Sequence, residues 1–146
     1  MLSLQSEKIF SESLSQFINK IRAGSEKETA RAITLLENRD LLSTKIMQQL
    51  YQNFNKPYII GITGPAGSGK SSLLNLLVKQ YLRNSEEKIA VIAVDPTAQK
   101  SGGAFLGDRI RMKDLAIDQR VFIRSMASRG SFGGVNTEVY DTAVIL

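Results

Sequence analysis

Neither cysteine nor histidine occurs among the 146 residues. Their absence excludes disulfides, a thiolate or imidazole metal centre and a histidine general base from this segment. Metal chemistry must then rely on carboxylate, hydroxyl, water and phosphate oxygens, the preferences of Mg²⁺. Proline is scarce, at 3 residues, which argues against a disordered linker protein. No apolar run approaches membrane-spanning length, and the N-terminus carries Glu7 and Glu12 amid serines without the apolar core of a secretory signal. These absences predict a soluble intracellular protein, cytoplasmic or of an organelle matrix, with no membrane partner. Blocks of like charge are missing too. The 19 Lys and Arg exceed the 14 acids to give +5, but they are scattered and not interleaved with aromatics. That distribution suits a polyanionic small ligand and argues against a nucleic-acid partner.

What is present is a hydrophobic fraction of 42%, enough for a real core, and one motif. Gly64-Pro65-Ala66-Gly67-Ser68-Gly69-Lys70-Ser71 matches G-x-x-x-x-G-K-[ST], a phosphate-binding loop. Its glycines let successive backbone N–H groups turn inward on an anion. Lys70 can reach terminal phosphates, and the Ser71 hydroxyl can ligate Mg²⁺. The flanks suit that reading. Tyr58–Ile62 reads as a short buried strand, and Ser71 to Val78, with Ser72 at its start, carries apolar positions at helical spacing. The N-terminus of that helix would face the phosphates.

Before the loop, residues 1–56 read as a helical arm. Leu14, Phe17, Ile18 and Ile21 fall at i, i+3, i+4 and i+7, and Gly24 closes that helix. Ser25 and Glu28 make a capping-box pattern for a second helix with Ile33, Leu35 and Leu36, and Ile46, Met47, Leu50, Tyr51 and Phe54 stripe a third. Residues 57–146 read as an α/β unit: strand, loop, helix to about Arg83, then strand Ile89–Val94 ending in Asp95. A glycine-rich loop from Pro96 to Gly107, a helical stretch from Asp108, strand Val121–Arg124, a loop with Gly130, Gly133 and Gly134, and a further helix follow. The continuous apolar strand predicts a parallel sheet buried on both faces by helices, with ligands at the carboxyl ends of its strands. The pattern stops within a helix after three strands, so the chain is expected to be the N-terminal part of a larger, incomplete domain.

Asp95, at a strand tip, is placed like a carboxylate that holds Mg²⁺ beside Ser71; a turn cap before Pro96 is its alternative reading. Asp108 is by its spacing equally an N-cap. Arg109, Arg111, Arg124 and Arg129 can each neutralise phosphate or pair with a carboxylate.

The segments Gly61–Ser72, Ala93–Thr97, Ser101–Met112 and Phe122–Gly130 together resemble the MeaB/ArgK family, and Arg31–Glu37 is similar to that family's helical arm. The Gly107-Asp108-Arg109-Ile110-Arg111-Met112 stretch is the distinguishing part. The resemblance implies a P-loop GTPase binding GTP and GDP with Mg²⁺ and acting as a chaperone of an adenosylcobalamin-dependent methylmalonyl-CoA mutase or a related mutase. The complete protein would be a homodimer. The resemblance makes Gly64 through Ser72 the nucleotide cradle, Lys70 the catalytic phosphate contact, and Ser71, Asp95 and Asp108 the metal residues, the two aspartates lying in switch regions. A later Glu-bearing strand, the Asn-Lys-x-Asp guanine reader and a C-terminal dimerisation arm have no counterpart in these residues, so hydrolysis by this segment alone is expected to be very slow. An ATP-dependent small-molecule kinase and a non-catalytic interaction module are the competing readings.

Overall fold

The computed structural model describes residues 4–52, 54, 56–95, 112, 114–127 and 137–146. Among these are helices α1 (Leu4–Arg22), α2 (Glu26–Glu37), α3 (Leu41–Tyr51), α4 (Lys70–Asn84) and α5 (Thr137–Ile145), and strands β1 (Ile89–Asp95) and β2 (Val121–Ala127). They fall into two compact units, Met1–Pro57 with Thr137–Leu146, and Tyr58–Asn136.

The first unit is helical. Leu14, Ile18 and Ile21 of α1 are buried as their spacing predicts, along with Ile33 and Leu36 of α2 and Ile46, Met47 and Leu50 of α3. Ile33 and Ile46 are almost wholly removed from solvent, and side chains of this size each contribute about 1.5–3 kcal/mol on burial. Both corners between these helices have the same build. After α1, Gly24 takes φ 81° while its N–H donates to Ile21 O and that of Ser25 to Lys20 O. After α2, Arg39 takes φ 53° while its N–H donates to Leu36 O and that of Asp40 to Leu35 O. Each closes the last turn with a left-handed residue, glycine in one case and arginine in the other. Asp40 then caps α3, its Oδ1 accepting from Leu42 N at 2.8 Å.

The start of α2 differs from its sequence pattern. Ser25 Oγ makes no bond to a backbone N–H and donates instead to the Glu28 carboxylate. That hydrogen bond, helped by Lys20 at 3.7 Å, holds the Glu28 carboxyl below its ordinary range. Helix α3 ends at Tyr51, short of Phe54, whose ring meets that of Tyr51 edge-on at 6.1 Å. Helix α5 packs on α2 and α3, burying Thr142, Val144 and Ile145.

The second unit holds the sheet. β1 and β2 pair in parallel with Ile89 opposite Val121 and Asp95 opposite Ala127. Val91, Val121 and Ile123 form a buried cluster with Val78 of α4, Met112 and Leu115, and Ile89 and Ala93 pack against it. One face of β1 is thus covered while Ala90, between Ile89 and Val91, is exposed. On the other face Ile92 and Val94 are half-buried and Met126, paired with Val94 across the sheet, is fully buried, so that face is covered in part and Ala90 marks its open end.

Tyr58–Ile62 is a second correction. It forms no strand, and Tyr58, Ile59 and Ile60 are exposed. A β-strand exists by its ladder, and the described sheet has only the β1–β2 pair. Helix α4 likewise buries only Val78 fully, leaving Leu73, Leu76 and Tyr81 exposed. The loops Pro96–Gly107 and Gly130–Gly134 and the stretch opening at Asp108 lie outside the described residues.

Candidate functional site

The loop from Gly64 to Ser71 leads directly into α4, whose first residue is Lys70. Its backbone uses conformations that side chains disfavour: Gly67 has φ 78° and Gly69, the N-cap, φ 85°. Between them Ser68 N donates to Pro65 O at 3.4 Å, and the first bond of the helix runs from Leu73 N to Gly69 O at 2.9 Å. The first N–H groups of a helix lack intrahelical acceptors and sit at the positive end of its dipole. No acidic residue occupies the first turn of α4 to offset that potential. The exposed loop thus leads into a helix end whose potential favours an anion.

Lys70 folds back over its own loop. Nζ donates to Gly64 O and Pro65 O, both at 2.7 Å. An ammonium has three donors, and these bonds use two while fixing the charge across the mouth of the turn. Ser71 follows half-buried and Ser72 exposed. Asp95 is the last residue of β1, at the carboxyl edge of the parallel pair. Asp108, Arg109, Arg111 and Arg129 lie outside the described residues, and Arg124 is half-buried on β2.

A hydroxyl and a carboxylate are hard donors of the kind Mg²⁺ takes. Among the described residues no group of three or more His, Cys, Asp or Glu could hold a metal ion. Mg²⁺ commonly takes one or two such donors from protein and completes its shell with water and phosphate oxygens.

Sequence reasoning passed over the residues that fasten this helix at its far end. Arg120 donates through Nη1 to Leu82 O at 3.2 Å and Ser85 O at 3.0 Å, and through Nε and Nη2 to Asp118 at 3.1 and 2.9 Å. That guanidinium holds the Asp118 carboxyl below its ordinary range. No local signal marks the arrangement, because 38 positions separate Arg120 from Leu82.

The family described as methylmalonyl-CoA mutase-associated GTPase MeaB matches residues 29–146. The chain belongs to the MeaB family. This MeaB-family chain is 44% identical over 133 residues to a protein of Pyrococcus abyssi named as a GTPase, covering 91% of the chain and 41% of the relative. It is 37% identical to the GTPase ArgK of Escherichia coli, with 84% and 38% covered. It is 36% identical to the fused isobutyryl-CoA mutase of Geobacillus kaustophilus, with 88% and 13% covered. The chain thus spans about two fifths of the length of these two GTPase-named relatives. Among the described residues, no helix is long and apolar enough to cross a membrane.

Proposed function

We propose that residues 57–146 are the nucleotide-binding portion of a P-loop GTPase serving an adenosylcobalamin-dependent acyl-CoA mutase, with residues 1–56 as its helical arm. The observation that carries the reading is the Gly64–Ser71 loop: two left-handed glycines opening a helix whose first residue, Lys70, sits across the turn. Family membership and a fused mutase among the relatives support the nucleotide and the client class.

In this reading the α4 N-terminus and Lys70 take the β- and γ-phosphates of GTP, and Ser71, Asp95 and Asp108 hold Mg²⁺, which would neutralise charge developing on the phosphates. Lys70 exchanges its two carbonyl acceptors for phosphate oxygens, so the cation is already on the loop before ligand arrives. Binding and loss of the γ-phosphate would switch the aspartate-bearing loops and so the grip on the mutase, making the protein a chaperone for cofactor loading or protection. The complete protein would act as a homodimer and would read guanine through an Asn-Lys-x-Asp loop, a motif these residues do not contain.

The test is equilibrium binding of fluorescent GDP to the full-length protein with Mg²⁺, competed by unlabelled GTP and ATP. Tight, GTP-selective binding that Lys70→Ala abolishes is expected. ATP-selective binding, or tight binding retained by Lys70→Ala, overturns the reading.

A further inference from the structure

We infer that Arg120, braced by Asp118, is a positioning residue for nucleotide binding: it sets the direction of α4 and hence the place of the phosphate loop at the helix's opposite end. The inference rests on the nucleotide-binding reading above.

Helix α4 has little apolar purchase. Of its side chains Val78 alone is fully buried, with Leu74 and Leu82 packed partly against the sheet cluster. Those three residues lie along one line of the helix with only the middle one fully buried, so pivoting about Val78 is opposed by two half-buried leucines alone on this face. Besides the Tyr81–Glu87 bond and a contact made by Asn75, two polar attachments tie α4 to the stretch that leads into β2. One is Lys79 with Asp114 at 3.1 Å, both well exposed and worth little. The other is Arg120, whose side chain is only 29% exposed and whose planar fork meets acceptors on three sides.

Its geometry is specific. Nη1 donates to the carbonyls of Leu82, in the last turn, and of Ser85, the C-cap. Terminal carbonyls of a helix have no intrahelical donor, and a cation beside them also complements the dipole. The other edge of the guanidinium is locked by both oxygens of Asp118, which also accepts from Arg120 N at 2.9 Å. Glu86 adds a carboxylate at 3.6 Å. The same residue is built into the sheet, since Ile89 N at the start of β1 donates to Arg120 O at 2.8 Å and β2 begins at Val121. One residue therefore joins the C-terminus of α4 to the first rungs of both strands. With Val78 as the remaining hold, Lys70 lies about 12 Å from it along the helix, so a tilt of roughly 10° about Val78 carries the N-terminus of α4 through ~2 Å. Displacements of even about 1 Å at a binding constellation are costly.

A cap that only stabilises the fold and a residue that aims the loop differ in what they change once the protein is folded. Full-length wild type, Arg120→Ala, Arg120→Lys and Asp118→Asn are compared at a temperature where circular dichroism shows each to be folded, by GDP titration and by hydrogen exchange of the Leu73 amide, which closes the first turn onto Gly69. The expected result is a five- to tenfold weaker GDP affinity and at least tenfold faster Leu73 exchange in Arg120→Ala. Arg120→Lys should recover only part of either, because an ammonium cannot bridge two carbonyls and a carboxylate in one plane, and Asp118→Asn should fall between. A lowered Tm with GDP affinity within twofold of wild type and unchanged Leu73 exchange overturns the inference, as does full rescue by lysine. If Arg120→Ala does not fold, Arg120→Lys and Asp118→Asn decide by the same readings. Failure of the wild type to bind GDP would sink the nucleotide reading instead, and the exchange comparison would still report whether Arg120 aims the helix.

Discussion

Arg39 and Glu138, 99 positions apart, share one ion pair in which Nε and Nη2 of the arginine both donate to Oε1 of the glutamate, at 3.2 and 3.1 Å. The two ends differ in exposure: the Arg39 side chain is 75% exposed and that of Glu138 9%. The pair joins the α2–α3 corner to the first turn of α5.

That asymmetry predicts unequal losses. Arg39→Ala strands a buried carboxylate and should cost about 1–2 kcal/mol of stability, whereas Glu138→Gln leaves a solvated guanidinium and should cost less than about 1 kcal/mol. Arg39 also stands at φ 53°, where a Cβ is unfavourable. Arg39→Gly should therefore be more stable than Arg39→Ala by roughly 1 kcal/mol, although both lose the guanidinium. Urea denaturation of the three variants checks the order; alanine equal to or better than glycine would refute the account of the corner.

Tyr51 and Asp141 give the same helix a second attachment with a pH signature. The phenol donates to Oδ1 at 2.8 Å, and this bond to a carboxylate, with lesser help from burial, pushes the Tyr51 pKa up from 10.0 to about 12. The folded-state value lies above the unfolded one, so the contribution is fully present below pH 10 and is lost as pH rises through 12. Tyr51→Phe should lower Tm at neutral pH and remove part of the decline in stability between those values. In an alkaline absorbance titration the late-ionising tyrosinate near pH 12 should vanish in Tyr51→Phe. Tyr81, also raised by its bond to Glu87, should remain.

The helices were legible because their signals are local. The i, i+3, i+4, i+7 spacing of Leu14, Ile18 and Ile21 sets a buried face wherever the helix docks, and Gly24 announces a left-handed close. Arg39 makes the same turn with no such announcement. What the residues could not convey was pairing. Tyr58–Ile62 has the composition of a strand, but composition supplies no ladder, and the segment runs exposed. The apolar run of β1 does not state which elements will cover its faces, and nothing in Thr137–Ile145 states that it will pack on the arm helices. At the candidate site, glycine placement was readable from the motif. The carbonyl partners of Lys70 and the anchorage of α4 by Arg120 depend on backbone atoms that no side-chain pattern encodes.

Asp40 is the cap that starts α3 where the left-handed corner ends. Its Oδ1 accepts from Leu42 N at 2.8 Å, and its own carbonyl accepts from Ser43 Oγ at 2.6 Å. Asp40→Ala removes the first bond only and should cost about 1 kcal/mol, with Asp40→Asn or Asp40→Ser within a few tenths of wild type. Chemical denaturation measures this directly, and an alanine variant as stable as wild type would mean that water caps the helix equally well.

Two glycines three residues apart offer the sharpest test of the loop. A Cβ on Gly61 would meet nothing within 4 Å, and its φ is outside the left-handed region. A Cβ on Gly64 would stand 3.1 Å from Ser68 Oγ and 3.7 Å from Lys70 Cδ, on a backbone at φ 154°. Adding the same methyl group should therefore do opposite things. Gly61→Ala should leave GDP affinity within about twofold and stability unchanged or slightly raised, since it restrains the unfolded chain. Gly64→Ala should force both the strained backbone and the Ser68 side chain to shift, moving the carbonyl on which Lys70 rests and weakening GDP binding at least tenfold in the full-length protein. Equal behaviour of the two variants in a GDP titration would mean that the loop reshapes on binding, and that its ligand-free geometry does not set affinity.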